Sequence, residues 1–369
     1  MKFTCEKTLL SNAISIVSRT VSPKSSLVFL EGIYIAAGDG LQLTGYNLET
    51  GITVRVEARV RQGGECVMPT RMFADIIRKL PDEVVSIEVD ESYRVSITGG
   101  VSSFQLMASA ADEYPQLPAV EEEGAVRLPQ KALRDLISGT IFAVSEDTAN
   151  AIYTGCLVET RDDTLTMVAI DGYRMAKRAW KAETAFPAMS FVVPSAALKE
   201  LEKILSDTDD EVRFTLGRKH ISFSVENATL ICRLLEGKFA EWRRFIPASS
   251  PIQLVANVAE LTATVERVGL IVNEKYKSPV RCRFNKDGAE FRTVTTVASA
   301  TDGCRLAGDG KDTEIGFSCR YMLEALKAVP TLEVTLLLSG GLSPILLVPC
   351  EADSKDVDFT YLIQPVRLN

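Results

Sequence analysis

The sequence predicts an α+β protein of three similar domains, each an antiparallel sheet carrying two helices. Three observations predict it. A block of the form strand, helix, turn, strand recurs with a period near 124 residues, and a repeat that long forms a globular domain rather than one rung of a solenoid. Short alternating segments bounded by turn residues far outweigh the helices, as in antiparallel sheets with helices segregated to one side. Each helix-period segment also presents one apolar face. The expected domains are 1–118, 126–247 and 251–369, with linkers at 112–124 (DEYPQLPAVEEEG) and 239–251 (FAEWRRFIPASSP), where proline and charge break the periodicity.

The recurring block is clearest at residues 191–216, FVVPSAALKELEKILSDTDDEVRFTL, with copies at 67–89 and 315–338. Pro194 and Ser195 are expected to start a helix, the serine hydroxyl capping a free backbone N–H. Leu198, Leu201 and Leu205 then share one face; Phe73, Ile76 and Leu80 hold those places in the first copy, and Met322, Ala325 and Val329 in the third. Opposite that face, Arg78, Lys203 and Lys327 share a single repeat position. An outward lysine ordinarily serves solubility, but three cations at one repeat position are a stronger signal. A second helix precedes each block: Leu10, Ala13, Ile14 and Val17 form one apolar face, echoed by Leu133, Leu136 and Ile137 and by Leu261, Val265 and Val268. Between the helices lie hairpins such as 32–47 and 155–172, whose Gly-Asp-Gly and Arg-Asp-Asp-Thr stretches supply the turns.

The net charge of −8 argues against a protein that coats nucleic acid by bulk charge, so any such contact is local. Eight scattered cysteines, with no C-x-x-C pair, read as small core residues of a reducing cytosol rather than metal ligands or disulfides. The start, MKFTCEKTLL, reads directly as strand and helix, with no apolar run suited to a signal peptide or membrane span. The expectation is a soluble cytoplasmic protein. His220 is the only histidine, so no Ser-His-Asp or Cys-His arrangement can be assembled around a second base. GDGKDTE at 308–314 lacks the spacing of a phosphate loop and reads as a turn. No catalytic residue, metal site or cofactor is expected.

VAIDGYRMA at 168–176 is more informative, because a tight turn after Asp171 is expected to place Tyr173, Arg174 and Met175 on an exposed exit strand. A hairpin with half-buried flanks would need the same residue types. The end, FTYLIQPVRLN, adds a second apolar segment that should pack onto something.

Taken in order, MKFT at the start, NLE at 47–49, MP-x-R-x-F at 68–73, DEYPQLP, FAVS at 142–145, DGYRMA, LLEGKFAEWRRFIP at 234–247 and the QPVRL ending resemble the bacterial sliding clamp, the beta subunit of DNA polymerase III. The resemblance covers nearly the whole chain. It implies the DNA clamp fold, a head-to-tail homodimer closed into a ring of six domains around duplex DNA, and the tethering of the polymerase III catalytic subunit and the clamp loader through short peptide motifs, with no chemistry of its own and no membrane. It further implies that Arg78, Lys203 and Lys327, with Lys24, Arg71 and Arg320 near the same helix ends, face DNA; that Phe104 and Leu106 meet Leu270 and Ile271 of GLIVNEK (269–275) across the dimer; and that a partner-peptide pocket is built from Tyr153, Ile170, Gly172, Tyr173, Arg174, Met175 and Pro247 on one side and Ser343, Pro344, Leu362, Gln364, Pro365, Val366 and Arg367 on the other. Three departures stand out: Gln364 replaces a usual apolar residue, Tyr173 stands where a histidine is common, and a second D-G-x-R-x-A string, TDGCRLA at 301–307, comes about seven residues late for the repeat, which suggests a local rearrangement of the third domain. From the residues alone, a self-associating peptide-binding scaffold without nucleic acid remains open, as does a nucleotide-using enzyme built around DGYR or GDGK.

Overall fold

The computed structural model describes residues 1–22, 24–25, 27–120, 124–272, 278–355 and 357–368. Residues 121–123 of the first linker and 273–275 of GLIVNEK lie outside them. Among the described residues the α-helices are α1 (Lys7–Val17), α2 (Thr70–Lys79), α3 (Gln130–Ser138), α4 (Ser195–Ile204), α5 (Val258–Gly269) and α6 (Cys319–Lys327), two to each repeat. The apolar faces expected for α1, α3, α4 and α5 are all buried. In α2 and α6 the face is rotated: Ile77 and Leu326 are buried where Ile76 and Val329 were expected, and Ile76 and Val329 are only half-buried. Both helices stop ahead of a proline, Pro81 and Pro330, which disfavours helical backbone at the residue before it. Leu80 accordingly has ψ 140 and is buried from just outside α2. Ser195 is the first helical residue rather than the cap. In the third copy Ser318 does cap, its hydroxyl accepting from the Tyr321 N–H at 3.4 Å.

The chain forms two compact units whose border runs through the second repeat. The first unit, Met1–Lys131 with Glu200–Leu234, holds a five-stranded sheet in the order Arg59–Gln62, Lys2–Glu6, Val84–Val89, Arg94–Gly99, Ser102–Met107. Its eight-stranded sheet runs Val126–Pro129, Glu211–Leu216, His220–Val225, Ala228–Arg233, Thr50–Val56, Leu41–Tyr46, Gly32–Ala37, Gly64–Pro69. This sheet joins two repeats, because Ala228–Arg233 of the second pairs antiparallel with Thr50–Val56 of the first, Ile231 opposite Gly51.

The second unit, Ala132–Lys199 with Leu235–Asn369, repeats the design. Its eight strands run Met189–Pro194, Gly155–Arg161, Thr164–Ile170, Arg174–Lys181, Asp358–Ile363, Ile345–Val348, Glu333–Leu338, Ile252–Asn257. Here Arg174–Lys181 of the second repeat pairs with Asp358–Ile363 of the third, Met175 opposite Leu362. A four-stranded sheet follows in the order Ser299–Cys304, Ala289–Val294, Val280–Phe284, Thr313–Phe317.

Equivalent hairpins in the three repeats keep one register: Tyr46 faces Gly51, Ile170 faces Met175, and Val294 faces Ser299. The third-repeat counterpart of the DGYR turn is therefore the turn closed by Thr295 and Ala298, whose N–H···O bond is 2.9 Å. TDGCRLA is not a displaced turn; Thr301–Cys304 lies inside the Ser299–Cys304 strand, and Asp302 binds Arg267. The third domain keeps the period there, and the expected rearrangement is absent. All eight cysteines are buried and none is in a disulfide, and burial pushes the Cys66, Cys156 and Cys232 thiols up to about 12.

Candidate functional site

The site grows from the hairpin between Thr164–Ile170 and Arg174–Lys181. Asp171 Oδ1 accepts from the N–H groups of Tyr173 at 2.9 Å and Arg174 at 3.0 Å, which closes the turn. Gly172 lies at φ +90, and a Cβ there would meet nothing within 4 Å. Glycine is thus needed for the backbone conformation rather than for space. Gly172→Ala should lower stability by about 1–2 kcal/mol, read as a drop in Tm, without changing ligand affinity.

Of the three residues expected on an exposed strand, only Tyr173 is exposed, at 59%. Arg174 is 7% exposed: its Nε donates to Asp171 Oδ2 at 2.8 Å, its Nη1 donates to Glu324, and its guanidinium lies 4.4 Å from the Tyr321 ring centroid and 5.5 Å from that of Phe142. It braces the wall and is not a rim group free to take peptide carbonyls. Met175 is buried, because the strand alternation turns it inward against Leu362 of the partnered strand.

Two cavities flank the Tyr173 ring. One of about 740 Å³ takes Tyr153, Ile170, Gly172, Tyr173 and Arg174 into its lining, with Phe142, Lys199, Phe245 and Glu324. The other, about 400 Å³, is lined by Tyr173, Ser318, Gln364, Pro365 and Val366. Arg320 and Tyr321 line both. Tyr173 and Tyr321 are stacked with centroids 6.2 Å apart. The tail is tied to this region by Gln364 N–H donating to the Tyr173 carbonyl at 2.9 Å and Val366 N–H donating to the Gly316 carbonyl at 2.8 Å. Beneath lies an apolar bed in which Ile170, Met175 and Leu362 join Leu157, Val168, Val192, Trp242 and Leu346, with Tyr153 packed against it.

Six expected pocket residues do not line either cavity: Met175 and Leu362 lie in the bed beneath, and the other four stand apart from both. Pro247 follows Ile246, which packs on the bed. Ser343 and Pro344 belong to the turn before Ile345–Val348, and Arg367 is exposed beyond the cavity. Phe142, Tyr321 and Glu324 were missed. Only Phe142 had a signal, as the head of FAVS; the other two sit on α6, whose outward face was expected, through Arg320 and Lys327, to meet DNA.

The expected DNA-facing cations are at helix ends. Arg78, Lys203 and Lys327 occupy the last turns of α2, α4 and α6, where the helix dipole favours positive charge. All three are largely exposed and carry surface ion pairs, to Asp75, to Glu200 at 2.8 Å and to Glu266 at 3.7 Å; pairs of this kind are worth little and leave the cations open to other anions. Lys24 and Arg71 are exposed. Arg320, expected among them, lies instead in the cavity walls, its guanidinium 5.1 Å from the Tyr321 ring.

Phe104 and Leu106 lie on Ser102–Met107, a free edge of the five-stranded sheet. Phe104 is 39% exposed, but Leu106 is 6% exposed and belongs to the core of its own unit. Beside Phe104 and Met107 runs a groove of about 1040 Å³ that also takes in Arg71, Met72 and Ile76. Leu270 is exposed at the end of α5, and Ile271 is half-buried.

A hairpin turn, an aromatic stack and an ordered tail around open cavities over an apolar bed form the kind of surface that suits a segment of another molecule. Three domain families match along the chain: DNA polymerase III beta subunit, N-terminal domain, over residues 1–118, central domain over 127–241, and C-terminal domain over 243–367. A beta sliding clamp of Halalkalibacterium halodurans is 31% identical over 100% of both chains. Among solved structures, a DNA polymerase sliding clamp from Bacillus subtilis (29% identity, TM-score 0.94) and a Pseudomonas aeruginosa sliding clamp bound to griselimycin (27%, TM-score 0.94) each match over 100% of both chains. The chain belongs to the DNA polymerase III beta subunit family, the sliding clamps, which are non-catalytic processivity factors of the polymerase. Among the described residues no helix is long and apolar enough to cross a membrane.

Proposed function

We infer that two copies of this chain close head to tail into a ring around duplex DNA, in the cytoplasm, and hold the replicative polymerase and the clamp loader through the site beside Tyr173. The observation that carries the ring is the repeated strand junction. Two junctions of one register are made within the chain, Ile231 opposite Gly51 and Leu362 opposite Met175. After each such strand the chain binds the residue three before the first helical residue: Leu235 to Val192 and Val366 to Gly316, as Ser109 binds Val67 in the first repeat. Ser102–Met107 is the first-repeat counterpart of those strands and Ser299–Cys304 the third-repeat counterpart of their partners, and both lie at sheet edges. Unpaired edges of this kind invite pairing, and a head-to-tail contact that closes makes a ring. The same register sets Gln105 of one protomer opposite Ser299 of the other, and Phe104 opposite Ala300. The domains of that ring are 1–118, 126–247 and 251–369.

On this reading Arg78, Lys203 and Lys327, with Lys24 and Arg71, make screened, sequence-independent phosphate contacts, and the acidic remainder keeps the grip loose enough to slide. The joint variant Arg78→Glu, Lys203→Glu, Lys327→Glu should lose about tenfold or more in retention on DNA at low salt, with its mass in solution and its griselimycin binding unchanged. Native retention by that variant would remove these residues from the DNA face. Griselimycin is the probe for the partner site because a similar clamp is bound to it.

A further inference from the structure

The three repeats place a carboxylate at one helix position, and the third repeat uses it differently. Asp75, Glu200 and Glu324 each precede by three residues the cation that ends their helix, Arg78, Lys203 and Lys327. In α2 and α4 the acid pairs with its own helix's cation, Asp75 with Arg78 and Glu200 with Lys203, as side chains three apart on a helix readily do. In α6 the pair is broken. Glu324 turns to Arg174 of the DGYR turn, and Lys327 is left to Glu266 of α5.

The diverted carboxylate changes what Arg174 can do. Asp171 holds only the Nε edge of the guanidinium, at 2.8 Å, while Glu324 holds Nη1. A planar guanidinium fixed on two edges has no rotational freedom left. Its face lies 4.4 Å from the Tyr321 centroid, and Tyr321 stacks in turn on Tyr173, the exposed ring common to both cavities. The chain of contacts therefore runs from Glu324 through Arg174 and Tyr321 to the surface that a ligand meets. Glu324 also lines the larger cavity, with its side chain 36% exposed, so removing its charge leaves no unpaired group in a sealed core.

We propose that Glu324 is a positioning residue of the partner site: the repeat's helix-end carboxylate, withdrawn from its own helix to lock Arg174 and so pre-order the Tyr321–Tyr173 wall. The proposal rests on that site being the place where ligand binds. A pre-ordered wall lowers the ordering cost that binding must otherwise meet.

The test is calorimetric titration of the intact protein with griselimycin. Glu324→Gln should weaken binding about tenfold, the size of one charge-assisted hydrogen bond. Asp75→Asn, the same repeat position in the first copy, should bind as the native chain does. In an Arg174→Ala background, Glu324→Gln should cost nothing further, because its effect passes through the arginine. A purely structural role would instead lower Tm in both backgrounds and leave the losses additive. Native affinity in Glu324→Gln, or a loss that adds in full to that of Arg174→Ala, overturns the proposal while the site stands. Full griselimycin affinity in a chain lacking residues 365–369 removes the site itself, and the proposal with it.

Discussion

A Phe104→Asp chain will sediment as a monomer at concentrations where the native protein is a dimer. Phe104 is partly exposed on the free edge of its sheet, so the substitution leaves the core of the first unit intact. In the proposed ring the matched register would bring Phe104 against Ala300 of a second protomer, where an aspartate would be buried without a partner. An unpaired buried carboxylate costs several kcal/mol, and about 4 kcal/mol weakens the dimer roughly a thousandfold. Circular dichroism and an unchanged Tm would show that the monomer is folded. Leu270→Ala with Ile271→Ala tests the other side and should also give a folded monomer. If both variants remain dimeric at nanomolar concentration, the edge strands do not form the joint.

Deleting residues 365–369 should weaken griselimycin binding about a hundredfold while dimer mass and DNA retention stay native. The deletion removes Pro365 and Val366 from the 400 Å³ cavity and breaks the Val366 to Gly316 hydrogen bond. Two apolar walls at about 1.5 kcal/mol each correspond to roughly a hundredfold in affinity. Leu368 also covers Gly316, approaching to 2.6 Å of where a Cβ would stand, so the deletion alone could disturb the sheet edge. Pro365→Ala with Val366→Ala keeps the backbone and should lose about tenfold. Native affinity in both variants would move the ligand elsewhere.

The helix faces were legible because each is decided by spacing within one segment: Leu10, Ala13, Ile14 and Val17 need only the 3.6-residue period to be placed inside. The strand junctions were not legible. Nothing local in Ala228–Arg233 says that its partner is Thr50–Val56, far away in sequence. The site was half legible. The turn and the tail could be found from residue type, but Arg174 read as exposed because arginine usually is; its burial depends on Asp171, Glu324, Tyr321 and Phe142, which converge only in the fold. TDGCRLA misled for the opposite reason, since an Asp-Gly pair signals a turn by type whereas the hairpin register places it within a strand.

The most direct measurement of the ring is retention of the loaded protein on nicked circular DNA before and after a single cut that makes the DNA linear. A closed ring held by topology stays on the circle through a high-salt wash, because screening removes its phosphate contacts but not the enclosure, and it runs off the ends once the DNA is cut. Equal retention on circular and linear DNA, or release from both by salt alone, would contradict encirclement and leave a scaffold that binds its partners without surrounding DNA.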